Sequence, residues 1–175
     1  MSERAGRYQR SFSGMVGALL VLLAVILVLV LLRDGARDDV PDPVRAIDYS
    51  ESLEFYRAEA EFPLLAPPSL PDGWKATSVS FKPARPQTWH LGVLTDEGRY
   101  IGLEQSRDTE STMVAEHVDP GATDTDPVTI AGERWNAYRD EGGDYALARR
   151  SGGITTLVVG TATEDELVAY VDSLR

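Results

Sequence analysis

An α+β domain carried behind an N-terminal membrane anchor is the architecture this sequence predicts, and three observations predict it. The eighteen residues from Met15 to Leu32 contain no polar side chain. From Trp74 to Val159, short segments rich in β-branched and aromatic residues alternate with Gly- and Asp-containing turns. The chain then closes on an apolar stripe at helical spacing, introduced by Thr163 and Glu166 in capping-box register.

The apolar run holds eight Leu and five Val. With Ser13 and Gly14 it makes about 20 residues, which at about 1.5 Å per residue matches a hydrocarbon core of about 30 Å. A cleaved signal peptide has a shorter apolar region, about 7 to 15 residues, and a small-residue cleavage site. Here Arg33-Asp34-Gly35-Ala36-Arg37 follows instead, and the absence of cysteine removes any lipoprotein attachment site. An uncleaved transmembrane helix over residues 13–32, in contact with the lipid bilayer, is therefore expected. Arg4, Arg7 and Arg10 precede it and Arg33, Arg37 and Arg45 follow it, nearly a tie by the positive-inside rule. The short basic tail and the long following domain favour a cytoplasmic N-terminus. The expected organisation is a cytoplasmic tail (1–12), the transmembrane helix (13–32), a polar, Pro-containing juxtamembrane linker (33–46) and an extracytoplasmic α+β domain (47–175) at the cell membrane.

The chain carries 17 basic and 28 acidic side chains, a net charge of −11. Residues 1–33 contribute four Arg and one Glu, so the remainder carries −14. A domain that acidic repels nucleic acid and anionic head groups, which excludes a nucleic-acid partner. Zero cysteines exclude disulfides, thiolate metal sites and a cysteine nucleophile. The domain must hold together by burial alone, and its roughly 130 residues suffice for one core.

Within it, residues 48–60 suit a short helix capped by Asp48 or Ser50, with Leu53 and Tyr56 on one side. Four prolines in residues 62–74 forbid a helix interior or a central strand. Trp74 to Phe81 alternates as a strand, placing Ala76, Ser78 and Ser80 together against Val79 and Phe81. Trp89–Thr95 and Arg99–Gln105 flank Asp96-Glu97-Gly98, a hairpin signal. Residues 109–118 suit a helix with Met113 and Val114 inward, and 119–127 read as a loop. Four short strands follow, at 128–131, 133–139, 145–150 and 154–159. The stripe Leu167, Val168, Val171 and Leu174 needs a sheet to cover it. The whole reads as an antiparallel meander with one or two helices packed on a face.

Signatures of chemistry are sparse. His90 and His117 fall in different elements, with His90 on the opposite strand face from Trp89 and Leu91. No HExxH, GxSxG, SxxK or glycine-rich phosphate motif occurs. A Ser-His-acid triad assembles only in space and leaves no mandatory spacing. Asp119, Asp124 and Asp126 fail the EF-hand pattern. Glu59 with Glu61, or Glu141 with Asp144, have only proximity in their favour as acid–base pairs. No catalytic, cofactor-binding or metal-binding residue is expected. Trp89 and Trp135 are core residues by position, or the lining of a ligand or partner surface if the sheet has an open face.

Residues 7–33, RYQRSFSGMVGALLVLLAVILVLVLLR, then FPLLAPPSLPDGW at 62–74, then IAGERWNAY and VVGTATEDELVAYVDSL, form an ordered set. In it the chain resembles a family of single-pass membrane proteins of high-GC Gram-positive bacteria known only as a domain of unknown function. The part after LPDGW is also similar to extracytoplasmic domains of some anti-sigma and envelope proteins, and more distantly to α/β sandwiches of the Mog1/PsbP type. The resemblance implies location and fold and transfers no site residue. A non-enzymatic envelope module that binds or scaffolds another envelope protein is the leading expectation. A carrier or sensor of a small apolar ligand comes second, and an enzyme of unrecognised type third.

Overall fold

The computed structural model describes residues 12–35 and 44–175. The chain divides into two compact units, 1–43 and 44–175. The expected tail, apart from residue 12, and linker residues 36–43 lie outside the described residues. In the first unit, helix α1 runs Phe12–Gly35, 24 residues. Its Leu and Val side chains from Met15 to Val28 are exposed wherever they are described. Among the described residues, taken alone, no helix is long and apolar enough to cross a membrane. Side chains of the apolar run are described at 15–17 and 19–28 only.

The second unit is built on one seven-stranded antiparallel sheet. Its strands are β1 (Lys75–Lys82), β2 (Thr88–Leu94), β3 (Tyr100–Ser106), β4 (Thr123–Ile130), β5 (Glu133–Arg139), β6 (Tyr145–Ser151) and β7 (Ile154–Gly160). Its helices are α2 (Ser50–Glu59), α3 (Glu110–His117) and α4 (Glu164–Ser173). Strand order is β1-β2-β3-β7-β6-β5-β4. Two hairpin meanders thus meet where β3 pairs with β7, and α3 lies in the connection from the first to the second. The α+β class with an antiparallel sheet is the one the sequence predicts.

One face is fully covered. Phe81, Trp89, Leu91, Val93, Ile101, Leu103, Leu147 and Val158 point to it, with Leu53 of α2 and Leu167, Tyr170 and Val171 of α4. Tyr56 of α2 brings its ring within 5.5 Å of Phe81 and 6.1 Å of Trp89. The proline-rich stretch is the strap between the helices: Phe62, Leu64 and Ala66 enter the same core. It is tied down by side chains and by one reciprocal backbone pair, Ala66 with Arg175, rather than by a strand ladder. Trp89 Nε1 donates to Leu65 O at 2.9 Å, and Leu65 N donates to Gln105 Oε1 at 2.8 Å. This is the extended, non-ladder role that its prolines dictate.

The expectation of helices on a single face needs correction. Met113 and Val114 of α3 pack on Ala146, Ala148, Leu157 and Val159, which point to the opposite side of the sheet. The domain therefore has three layers. The alternation of β6 and β7 makes both faces apolar there: YALA is buried throughout, as is TTLVVG after Ile154. A doubly buried strand needs cover on two sides.

Two further expectations are corrected. The register of β1 shifts between Ala76 and Ser78, so Ala76 joins Val79 and Phe81 over the core while Ser78 and Ser80 face the other way. The stretch 119–127 is not all loop. Strand β4 begins at Thr123 and includes Pro127, beside a register irregularity between Thr125 and Val128. β4 is an edge strand, where a missing N–H costs no ladder bond.

The helix caps follow the sequence closely at α4. Thr163 and Glu166 exchange both bonds of a capping box, and Leu167 is fully buried. Thr109 caps α3 by accepting from Thr112 N at 3.2 Å. At α2 the N-cap position falls on Tyr49, without a side-chain cap, while Asp48 accepts from Ser50 N at 2.9 Å.

Candidate functional site

The α3 helix covers the β6–β7 side of its face, leaving β1, β2 and β3 with a polar surface. Side chains at directly paired positions on adjacent strands share a face. The register places Ser80 beside His90 and His90 beside Glu104. The bond to Glu104 runs straight across the pair, and the bond to β1 runs diagonally, to Ser78 rather than Ser80. His90 Nε2 lies 2.7 Å from Ser78 Oγ, and His90 Nδ1 lies 2.5 Å from Glu104 Oε1. An acceptor carboxylate on Nδ1 favours the tautomer that keeps the proton there, leaving Nε2 to accept from the serine hydroxyl. The three side chains are half-buried. The arrangement is serine, imidazole and carboxylate in hydrogen-bonded series, spread over three neighbouring strands.

Two glycines make room for it. A Cβ on Gly92 would collide with Ser78 Oγ and come 3.1 Å from the Tyr100 hydroxyl oxygen. A Cβ on Gly102 would come 3.0 Å from that same oxygen. Tyr100 thus lies flat along the glycine pair, its hydroxyl next to the serine. Burial, and then the negative charge of Glu104, raises the pKa of Tyr100, so its hydroxyl stays protonated and able to donate.

Beside this group opens a cavity of about 210 Å³ whose walls include Ser80, Lys82, His90, Glu104, Glu116 and His117. The two histidines, far apart in sequence, border the same space. Among the described residues no group of three His, Cys, Asp or Glu side chains could hold a metal ion.

A second concavity lies on the other face. A cleft of about 440 Å³ is bounded by Leu70, Pro71 and Trp74 on one side and Ala169, Tyr170 and Ser173 of α4 on the other. Trp74 stacks on Tyr170, ring centres 6.5 Å apart and planes 19° apart. Asp165 and Glu166 stand at its rim. The Tyr170 hydroxyl is buried and, among the described residues, has no hydrogen-bond partner. Burial shifts its pKa upward.

The tryptophans singled out by sequence lie elsewhere. Trp89 has no exposed surface and belongs to the core. Trp135 is 6% exposed and borders two small cavities of about 160 and 190 Å³ under the strap and the end of α4. The tryptophan at the large cleft is Trp74. Of the acidic candidates, Glu61 pairs with Arg85 at 2.6 Å, and the guanidinium holds its carboxyl below the usual range. Asp144 sits in the β5–β6 turn with its backbone N–H on Asp140. Asp119 closes the turn after α3 by accepting from Gly121 N at 2.6 Å, while Asp124 and Asp126 lie on edge strand β4. Ser78 and Glu104 carried no sequence signal. The one local hint was a pair of strand-interior glycines, Gly92 and Gly102, which mark a close approach.

A family model matches residues 7–174, and its description is Protein of unknown function (DUF4245). No curated protein matches the chain.

Proposed function

We propose, for a chain that belongs to the DUF4245 family of proteins of unknown function, a single-pass membrane-anchored module whose C-terminal domain stands outside the cytoplasmic membrane and binds another envelope component. One observation carries the reading. An apolar helical segment with exposed Leu and Val side chains is joined to a separately folded acidic unit. Exposed apolar surface of that extent needs a cover, and lipid is the cover that eighteen consecutive apolar residues fit. The net charge of −14 on the remainder keeps the domain off anionic head groups and in the aqueous phase. Helices on both faces of the antiparallel sheet support the distant likeness to sandwiches of the Mog1/PsbP type.

The test is topological. A reporter active only outside the cytoplasm, fused after Arg175, gives signal, and the protein stays with membranes after alkaline extraction. A fusion active only in the cytoplasm, or a mature protein that starts near Asp38, overturns the reading.

A second reading, a carrier of a small apolar ligand, is favoured by the cleft at Trp74 and Tyr170. Its walls are apolar and its rim acidic, so a neutral apolar molecule suits it better than an anion. The neutral probe N-phenyl-1-naphthylamine then binds saturably and loses that binding in Trp74→Ala. Equal binding by the variant rejects the cleft as the site.

A further inference from the structure

We propose that Ser78 is an activated nucleophile, with His90 as its general base and Glu104 as the positioning residue, and that the site transfers short acyl groups from small uncharged esters. This goes beyond binding and departs from the expectation of no catalytic residue.

Three independent features converge on Ser78. The hydrogen-bonded series is complete, at 2.7 Å from Ser78 Oγ to His90 Nε2 and 2.5 Å from Nδ1 to Glu104 Oε1. Such a constellation is recognised by geometry and roles, on any fold. The register shift in β1 brings Ser78 opposite Gly92, the re-aiming that β-bulges perform beside functional sites. Gly92 leaves empty the volume that the hydroxyl occupies, and the Tyr100 hydroxyl stands against the same point. Were the series only a polar ladder on a wet sheet face, neither the bulge nor the bare glycine would be needed.

The chemistry balances without a cofactor. Ser78 Oγ bonds to the ester carbonyl carbon as its proton passes to His90 Nε2. Glu104 holds the Nδ1 proton and stabilises the imidazolium. The Tyr100 hydroxyl is the donor placed to meet the developing oxyanion. Collapse breaks the carbon–alkoxide bond, and the alkoxide leaves as alcohol with the proton from Nε2. Water then attacks the acyl-serine, gives its proton to Nε2, and releases the acid as Ser78 recovers its hydrogen. The adjoining cavity, about 210 Å³, is reached from Ser78 through His90 and Glu104 in its wall; its volume admits a short acyl group, and three carboxylates, Glu104, Asp108 and Glu116, against the one Lys82 disfavour an anionic one.

The experiment treats the full chain in detergent micelles with a fluorophosphonate probe and maps the adduct by peptide mass spectrometry. Ser80 serves as an internal control: it lies on the same strand and face, and the His90 imidazole bonds to Ser78 instead. The expected result is an adduct on Ser78 and none on Ser80. The labelling rate falls at least about 100-fold in His90→Gln, the scale of a lost general base. Glu104→Gln lowers kcat for p-nitrophenyl acetate while KM holds and the melting curve is unchanged. No adduct on wild-type Ser78, equal adducts on Ser78 and Ser80, or undiminished labelling in a folded His90→Gln protein overturns the proposal. Should His90→Gln fail to fold, the wild-type comparison of Ser78 with Ser80 decides alone.

Discussion

Arg99 grips Glu166 with two hydrogen bonds, Nε to Oε2 at 3.0 Å and Nη2 to Oε1 at 2.6 Å. Sixty-seven residues separate them in sequence. The pair ties the β2–β3 hairpin to the first turn of α4. The same Glu166 carboxylate completes the capping box by accepting from Thr163 N at 2.8 Å. One side chain thus fixes the helix start and docks it on the β2–β3 turn.

That double role makes stability pH-dependent. The hydrogen bond from Arg99, with those from Thr163, brings the pKa of Glu166 down to about 2, against an ordinary value of 4.5. A depressed carboxylate pKa stabilises the fold above the ordinary value and loses that contribution as pH falls from there through about 2. The midpoint of urea unfolding therefore falls in acid, and Glu166→Gln is less stable than wild type at pH 7. The gap between the two closes between about pH 4.5 and pH 2. A gap that stays constant over that range shows that the carboxylate's charge is not what counts.

The closing helix separates a cap from a core contact. Thr163→Ala removes the side-chain acceptor for Glu166 N and costs about 0.5–2 kcal/mol. Leu167→Ala, at a fully buried position, costs about 2–5 kcal/mol. Thermal unfolding of the two variants should rank them in that order, with a clearly lower Tm for Leu167→Ala. An unchanged melting curve for Leu167→Ala would remove α4 from the core.

Gly160 is required by close approach. A Cβ there would overlap the Tyr100 carbonyl across the β3–β7 junction, where the two meanders join. Gly160→Ala has to push central strands apart and costs upward of about 1–3 kcal/mol. Gly98, at φ 75° with open space around it, needs only the left-handed conformation. Gly98→Asn, whose side chain tolerates that region, stays within about 1 kcal/mol of wild type. Denaturant titration of the two variants tests the contrast.

The tryptophans give an optical check. Trp89 and Trp135 are buried, and Trp74 is half-exposed at the cleft. Acrylamide quenching of the native protein should come mainly from Trp74, so Trp74→Phe leaves emission that resists the quencher. Strong residual quenching in that variant places Trp89 or Trp135 nearer solvent than their packing allows.

Much of this was legible locally. Thr163 with Glu166 announced a helix start because a capping box needs only four consecutive residues. Asp96-Glu97-Gly98 announced a hairpin because a left-handed glycine is a local demand. The alternation of Trp89, Leu91 and Val93 gave the buried face of β2. The failures are equally specific. The bulge at Ala76–Ser78 was invisible because its benefit, Ser78 against Gly92, depends on the neighbouring strand. The strap residues 62–68 read as mere connection, since their anchors, Trp89 Nε1 and the Gln105 side chain, lie 24 and 40 residues away.

The sequence by itself determined the local chemistry of this protein: the apolar run, the acidic domain, the turns, the caps and the strand faces, all set by interactions within a few residues. Tertiary structure alone decided that β3 pairs with β7 and set the registers, and with that the two-sided burial of β6 and β7, the third layer of α3, and the meeting of Ser78, His90 and Glu104. The physical reason is strand pairing. Register is fixed by burial of one whole face against helices and strap, and only then do side chains on β1, β2 and β3 come within hydrogen-bond reach.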